Sequence, residues 1–202
     1  MMGASKFMSR AELMRLKHTG IAEEVDGATQ ARFDAGHRTE AEARMIIEEQ
    51  LGETCQPATA TDDDGWLLAS YDGLNQVRGF GWEHKLWNGS LADAVRAKEL
   101  PPMYYWQLEH QILVGKLKGV VFTVSDGTPN KCVSMRYRPV PGRAEQLIAG
   151  WKQFEKDLAA YTPPEVLPPA VAAPTLALPA VSIQVSGAVA LTSNLGVFLT
   201  EL

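Results

Sequence analysis

Asp72, Glu83 and Lys85 are the residues whose types and spacing can do chemistry. Ten residues separate Asp72 from the run Glu83-His84-Lys85. One apolar run, 66–71, ends at Asp72, and a second, 80–87, carries Glu83, His84 and Lys85. Gly73, Asn75 and Gly79 lie between, so the segment reads as two strands joined by a short reversal. Side chains alternate along a strand, which puts Glu83 and Lys85 on one face, able to meet Asp72 across the hairpin. Two carboxylates and an ammonium in apolar surroundings are costly unless compensated. A divalent cation compensates them, and hard carboxylate oxygens suit Mg²⁺, which also takes waters and substrate phosphate. Such an ion activates water and stabilises a transferring phosphoryl group. Lys85 would orient the attacking water or offset charge building on the phosphate. A surface strand with a cross-strand salt bridge gives the same pattern, but Phe80, Trp82, Leu86 and Trp87 argue for a buried strand.

The flanking elements must position these groups. Ser9 and Glu12 form a capping box for a helix over 9–19 that Gly20 ends, and Lys6, Arg10, Arg15, Lys17 and His18 make it basic. Thr39 and Glu42 suggest a second box opening a helix over 39–51, with Ala43, Ile46, Ile47 and Leu51 as its apolar stripe and Gly52 as its stop. Glu40 lies in its first turn, favourable to the helix dipole or available as a third acid. Residues 54–65 read as a loop, and Asp62, Asp63 and Asp64 as a solvated turn. Ser90 can cap a short helix over 91–99, ended by Pro101 and Pro102. The aromatic stretch 103–114 is a helix with Tyr104, Leu108, Gln111 and Ile112 on one face; Gln107 and Gln111 within it need partners, because buried amides do. Strands over 120–124 and 132–137 flank a turn at 126–131, and a long amphipathic helix over 143–161 packs on the sheet. Residues 162–180 form a Pro-rich linker, and 181–202 resume a strand-like alternation, the start of a second module or a docking arm.

The chain has 202 residues, 46% of them hydrophobic, enough for one domain over 1–161 plus an extension. No apolar run approaches a membrane span, and the first residues lack a signal-peptide core. Cys55 and Cys132 lack metal-like spacing and read as reduced cytosolic thiols, with a disulfide between them as the alternative. A net charge of −5 argues against a generic nucleic-acid coat. Yet residues 116–143 hold Lys116, Lys118, Lys131, Arg136, Arg138 and Arg143 against Asp126 alone, while acids gather at 40–64. A basic stripe beside an acidic metal site is compatible with DNA binding, as it is with an ordinary solvated strand face.

Four stretches, in order and separation, carry a family resemblance: GHRTEAEAR (36–44), LLASYDGL (67–74), GWEHKLW (81–87) and YYWQLEHQILV (104–114). Over roughly residues 5–161 the chain resembles the phage lambda-type exonucleases, the YqaJ-like viral recombinase family of the PD-(D/E)XK nuclease superfamily, with Asp72-Gly73 in place of Pro-Asp. The resemblance implies an α/β fold with a central mixed sheet flanked by helices. It implies Mg²⁺-dependent digestion (Mn²⁺ can substitute) of one strand of duplex DNA from the 5′ end, feeding single-strand annealing recombination. Asp72 and Glu83 match the metal-binding carboxylates, Lys85 the catalytic lysine and Glu40 the helix acid that completes the site. The backbone carbonyl of His84 is the expected extra ligand. Gln107 matches the glutamine of the aromatic helix, and a second glutamine common in relatives is replaced by Glu109. Arg10, Arg15, Lys17, Lys116, Lys118, Lys131, Arg136 and Arg138 are the candidate DNA contacts. Implied partners are double-stranded DNA, a single-strand annealing protein and further copies of the chain in a homotrimeric ring. The implied setting is the cytoplasm of a bacterial host, with a phage or prophage gene. Relatives carry a further N-terminal segment that helps hold the DNA end, so the domain is expected to be short there. The alternatives are an endonuclease of the same superfamily and a catalytically impaired DNA-binding or assembly remnant of a prophage nuclease.

Overall fold

The computed structural model describes residues 2–6, 8–21 and 27–163. The chain order is α1 (Arg10–Thr19), α2 (Gly27–Leu51), β1 (Gln56–Thr61), β2 (Leu68–Asn75), β3 (Phe80–Leu86), α3 (Gly89–Ala97), α4 (Pro102–Gly115), β4 (Gly119–Ser125), β5 (Cys132–Tyr137) and α5 (Arg143–Ala159), with a 3₁₀ turn at Pro129–Lys131. Among the described residues five strands form one sheet in the order β1-β2-β3-β4-β5. Only β3 and β4 pair in parallel; the other neighbours are antiparallel. The parallel step needs a long crossover, which α3 and α4 supply. This is the expected mixed α/β architecture.

Alternation along β4 explains the layers. Val120, Phe122 and Val124 enter a core with Leu108, Ile112, Trp151 and Phe154 from α4 and α5. Val121 points to the opposite face, where Trp82 and Cys55 pack under Ala43 and Ile47 of α2. The sheet is thus covered on both faces, as a buried parallel pair requires. Helix α1 docks on α5: Arg10 pairs with Asp157, its guanidinium lies 5.5 Å from the Phe154 ring centre, and His18 meets Tyr161 edge-on. The cysteines are free thiols. Among the described residues no helix is long and apolar enough to cross a membrane.

The capping box predicted for α1 is present, with Ser9 and Glu12 each accepting from the other's backbone amide and Gly20 left-handed at the C-cap. Four sequence expectations are corrected. The second helix begins at Gly27, not at 39. Thr39 lies inside it, and its hydroxyl donates back to the Ala35 carbonyl at 3.0 Å instead of capping. The segment read as a loop contains edge strand β1, QPATAT, in which only the small Ala58 and Ala60 alternate inward against exposed Thr59 and Thr61. Pro57 sits there at an irregularity between Gln56 and Ala58, a position that edge strands tolerate. Helix α3 is capped by Asn88, whose side chain accepts from the Leu91 amide at 3.0 Å, rather than by Ser90. Finally, β2 runs on to Asn75, so Asp72 lies within a strand and not at its end. Apart from Thr162 and Pro163, the expected linker and the extension over 181–202 lie outside the described residues.

Gly73 is fixed by packing. It pairs with Trp82, and a β-carbon there would stand 2.6 Å from Cys55 Sγ, 3.0 Å from Cys55 Cβ and 3.2 Å from the Trp82 ring. Gly73→Ala should therefore destabilise the fold by about 1–3 kcal/mol, as overpacking does. Thermal unfolding should show a smaller penalty for the same change in a Cys55→Ala background. An equal penalty in both backgrounds would contradict the contact.

Candidate active site

The site lies where two strands part. The β2–β3 ladder holds Asn75↔Phe80, Leu74↔Gly81 and Gly73↔Trp82. Beyond that last rung β2 continues with β1 and β3 with β4. Asp72 and Glu83 are the first residues past the rung, so both carboxylates stand at the opening. Asp72 Oδ2 accepts from the His84 backbone amide at 2.7 Å, standing in for the lost ladder partner. Within an extended strand a residue's N–H and C=O point to the same side, so the His84 carbonyl also faces the opening.

Helix α4 closes the gap from behind. His110 Nε2 bonds the Leu68 carbonyl at 2.9 Å, and Gln111 Nε2 donates to the Ser70 carbonyl at 2.9 Å and to Glu83 Oε2 at 2.6 Å. One turn earlier, Gln107 Nε2 donates to Glu83 Oε1 at 2.8 Å. Lys85 Nζ reaches the same oxygen at 2.8 Å. Glu83 is completely buried, and these three donors account for its tolerance there.

The charges are nevertheless unbalanced. Burial, then the neighbouring charge of Glu83 and that of Glu40, push the Asp72 carboxyl well above its ordinary range, against the pull of Lys85 and the His84 amide. Glu40, on α2, is likewise raised by burial and by Glu83, opposed by Arg44, whose guanidinium pairs with it at 2.6 Å. Burial works against the Lys85 ammonium, but Glu83 and Asp72 outweigh it and hold the ammonium above its usual range.

Among the described residues no three His, Cys, Asp or Glu side chains form a ready-made metal cage. The donor set is hard oxygen: Asp72, Glu83 and the His84 carbonyl, with the Glu40 charge acting on Asp72. Mg²⁺ keeps several waters and takes only one or two carboxylates from the protein, so these residues fit it.

Other expected residues are placed differently. The His84 imidazole stacks on Trp82, bonds Ser125 Oγ at 2.9 Å and is pushed down to about 4 by burial and by Lys85, a neutral packing group. Glu109 accepts from the Tyr137 hydroxyl at 2.6 Å and the Val140 amide at 2.9 Å, with Arg143 at 3.6 Å, so it fastens β5 and the chain after it to α4. Asp63 pairs with Lys116 in the solvated turn. Register divides the basic stripe. Lys131 lies at the β3 end that carries Lys85, 6.0 Å from the Trp87 ring centre, with Arg96 at 5.8 Å from the same ring. Lys116, Lys118 and Arg138 belong to the opposite end, around Phe80, Gly119 and Tyr137, while Arg136 stands opposite Val121, level with Trp82. Arg10 is committed to α5, and Arg15 and Lys17 are half-buried on α1. Sequence reasoning missed Gln111 as a holder of Glu83, and Arg44 altogether. The signal was the spacing of four residues from Gln107 and from Glu40.

No family model and no curated protein matches this sequence. Solved structures do match its fold: the crystal structure of an alkaline exonuclease (LHK-Exo) from Laribacter hongkongensis, and LHK-Exo in complex with dAMP. Each has 22% sequence identity and a TM-score of 0.60, and the match covers 75% of this chain and 78% of that chain. The mixed sheet with its covering helices is therefore the fold of an alkaline exonuclease.

The raised Asp72 carboxyl makes a stability prediction. An acid that holds its proton more tightly in the folded state costs stability once ionised. The cost is absent below the unfolded aspartate value of about 3.9 and grows as pH rises above it. Asp72→Asn keeps an oxygen for the His84 amide but removes the charge. In the metal-free protein, its melting temperature relative to wild type should rise between pH 4 and pH 7, by about 2–4 °C per kcal/mol relieved. A constant or shrinking difference would contradict the crowding of carboxylates.

Proposed function

We propose that this chain is a metal-dependent deoxyribonuclease that digests one strand of duplex DNA from the 5′ end in phage-type single-strand annealing recombination. The observation that carries the reading is the convergence of Asp72, Glu83 and Lys85 where β2 and β3 part, on a fold shared with an alkaline exonuclease. Asp72 and Glu83, with the His84 carbonyl and Glu40, would hold Mg²⁺, or Mn²⁺ in its place. When bound, the ion supplies an activated water and stabilises charge on the phosphoryl oxygens.

The chain's own residues do the rest. Glu83 is fixed by Gln107, Gln111 and Lys85, so it cannot swing away from the opening. Lys85 is kept protonated by the carboxylates beside it, so it acts as a cation and hydrogen-bond donor toward the scissile phosphate rather than as a base. Its side chain is 20% exposed, enough to meet a substrate. Gln107 is half-buried while Gln111 is buried, so Gln107 is the glutamine that can turn toward DNA.

A net charge of −5 leaves DNA binding to local cations. Lys131 is the member of the expected basic set at the same sheet end as Lys85, and each phosphate contact of this kind adds about 0.9 to the salt slope. The reading extends to the other proposed contacts, to a single-strand annealing protein as partner, to a homotrimeric ring around DNA and to the bacterial cytoplasm.

The test is digestion of 5′-phosphorylated linear duplex beside a closed circular duplex, with Mg²⁺ and with EDTA. Loss of the linear strand from its 5′ end, an intact circle and no reaction in EDTA are expected. A cut circle would make the protein an endonuclease, and no cleavage of either would refute the nuclease. Lys85→Ala should lower kcat by about 10²–10³-fold, the scale of a lost transition-state donor, with Mg²⁺ and DNA affinity retained. Collapse of metal affinity instead would make Lys85 a structural counter-ion.

A further inference from the structure

Two buried side-chain polar atoms among the described residues have no hydrogen-bond partner: Gln111 Oε1 and Arg44 Nε. Both belong to side chains that hold an acid of the site. Gln111 grips Glu83. Arg44, four residues after Glu40 on α2, donates from Nη2 to Glu40 Oε1 at 2.6 Å. Orphaned buried donors are rare, and each calls for a physical reason.

The second anchor of Arg44 supplies one. Its guanidinium carbon lies 5.7 Å from the centre of the Trp82 ring. Trp82 is completely buried. Its indole N–H donates to Thr123 Oγ1 at 2.9 Å, and Thr123 Oγ1 shares a hydrogen bond with Ser134 Oγ at 2.9 Å. Trp82 thus ties β3 to β4 and β5. It also precedes Glu83 and stands opposite Gly73, the residue after Asp72. The surface on which Arg44 rests is therefore the last rung of the ladder, the same rung from which both strand acids project.

We infer that Arg44 is a positioning residue for Glu40. It references the helix acid to the rung that places Asp72 and Glu83, and it offsets the repulsion among the three carboxylates before a metal binds. The inference rests on the metal-dependent nuclease reading and adds to it the device that brings the acid of α2 to a site built on strands. A direct phosphate contact fits poorly, because Nη2 is spent on Glu40, the guanidinium lies against Trp82, the unpaired Nε is buried and the side chain is only 19% exposed. Lysine can replace it only in part, keeping the charge beside Glu40 but having neither the planar face for the indole nor the fork for the carboxylate.

The experiment uses the full chain with Arg44→Gln, Arg44→Lys, Glu40→Gln and the Glu40→Gln/Arg44→Gln double variant. Mg²⁺ alone is titrated into each by calorimetry, and kcat and KM are measured on linear duplex DNA. Arg44→Gln should weaken Mg²⁺ binding about 10–100-fold, the usual effect of losing a partner of a metal ligand, and lower kcat while leaving KM for DNA unchanged. Arg44→Lys should fall between. The double variant should be no worse than Glu40→Gln, because Arg44 acts through Glu40. Wild-type Mg²⁺ affinity in Arg44→Gln, a full additional loss on top of Glu40→Gln, or a raised KM with unchanged kcat would each overturn the inference. Should Arg44→Gln fail to fold by circular dichroism, Arg44→Lys decides, and unchanged Mg²⁺ affinity there overturns it. These outcomes presuppose a wild type that binds Mg²⁺ and cleaves; a wild type that does neither refutes the nuclease reading itself.

Discussion

The structure depends on the end of one ladder. β2 and β3 pair over three rungs and then separate at Gly73 and Trp82, each continuing with its outer neighbour. A strand that loses its partner leaves backbone groups that must be satisfied. Here the Asp72 carboxylate takes the His84 amide, and His110 and Gln111 of α4 take the Leu68 and Ser70 carbonyls. The groups that repair the ladder are thus the groups, or the neighbours of the groups, that form the candidate site. Tyr71 reinforces the seam by donating its hydroxyl to the Gln111 carbonyl at 2.7 Å.

Such a seam costs stability. Glu83 is fully buried, Asp72 and Glu40 are both held above their ordinary carboxylate range, and the amide of Gln111 leaves one oxygen orphaned. A fold selected for stability alone would place apolar side chains there. The offsetting burial comes from the two cores on either side of β4. Conflict between local cost and global fold, concentrated at one opening, is the pattern expected of a functional site, and a bound cation of charge opposite to the three acids would relieve it.

Much of this was legible in the sequence. Strand alternation alone aligned Glu83 with Lys85 and set both against Asp72, and the Ser9–Glu12 box fixed the start of α1. What was missed has physical causes. β1 is short, and its alternation is carried only by Ala58 and Ala60 against Thr59 and Thr61, too small a contrast to stand out. Thr39 and Glu42 have capping spacing but lie within a longer helix, because a local box does not exclude helix before it. The basic residues of 116–143 look like one stripe along the chain, yet antiparallel and parallel registers send Lys131 to one end of the sheet and Arg138 to the other, with Arg136 between them at the level of Trp82. Arg44 was invisible because its meaning depends on Trp82, nearly forty residues away in sequence; only the packing of α2 on the sheet brings them together.

The central claim is that the three crowded carboxylates are an excess of negative charge that a divalent ion would balance. Thermal unfolding of wild type and Asp72→Asn at pH 7, each without metal and with saturating Mg²⁺, tests it most directly. Wild type should gain stability with Mg²⁺, about 2.7 kcal/mol at a hundredfold excess over Kd, while Asp72→Asn, the more stable of the two without metal, gains much less, so that the gap narrows or reverses. Equal Mg²⁺ stabilisation of both proteins, or none of either, would contradict a metal site at Asp72.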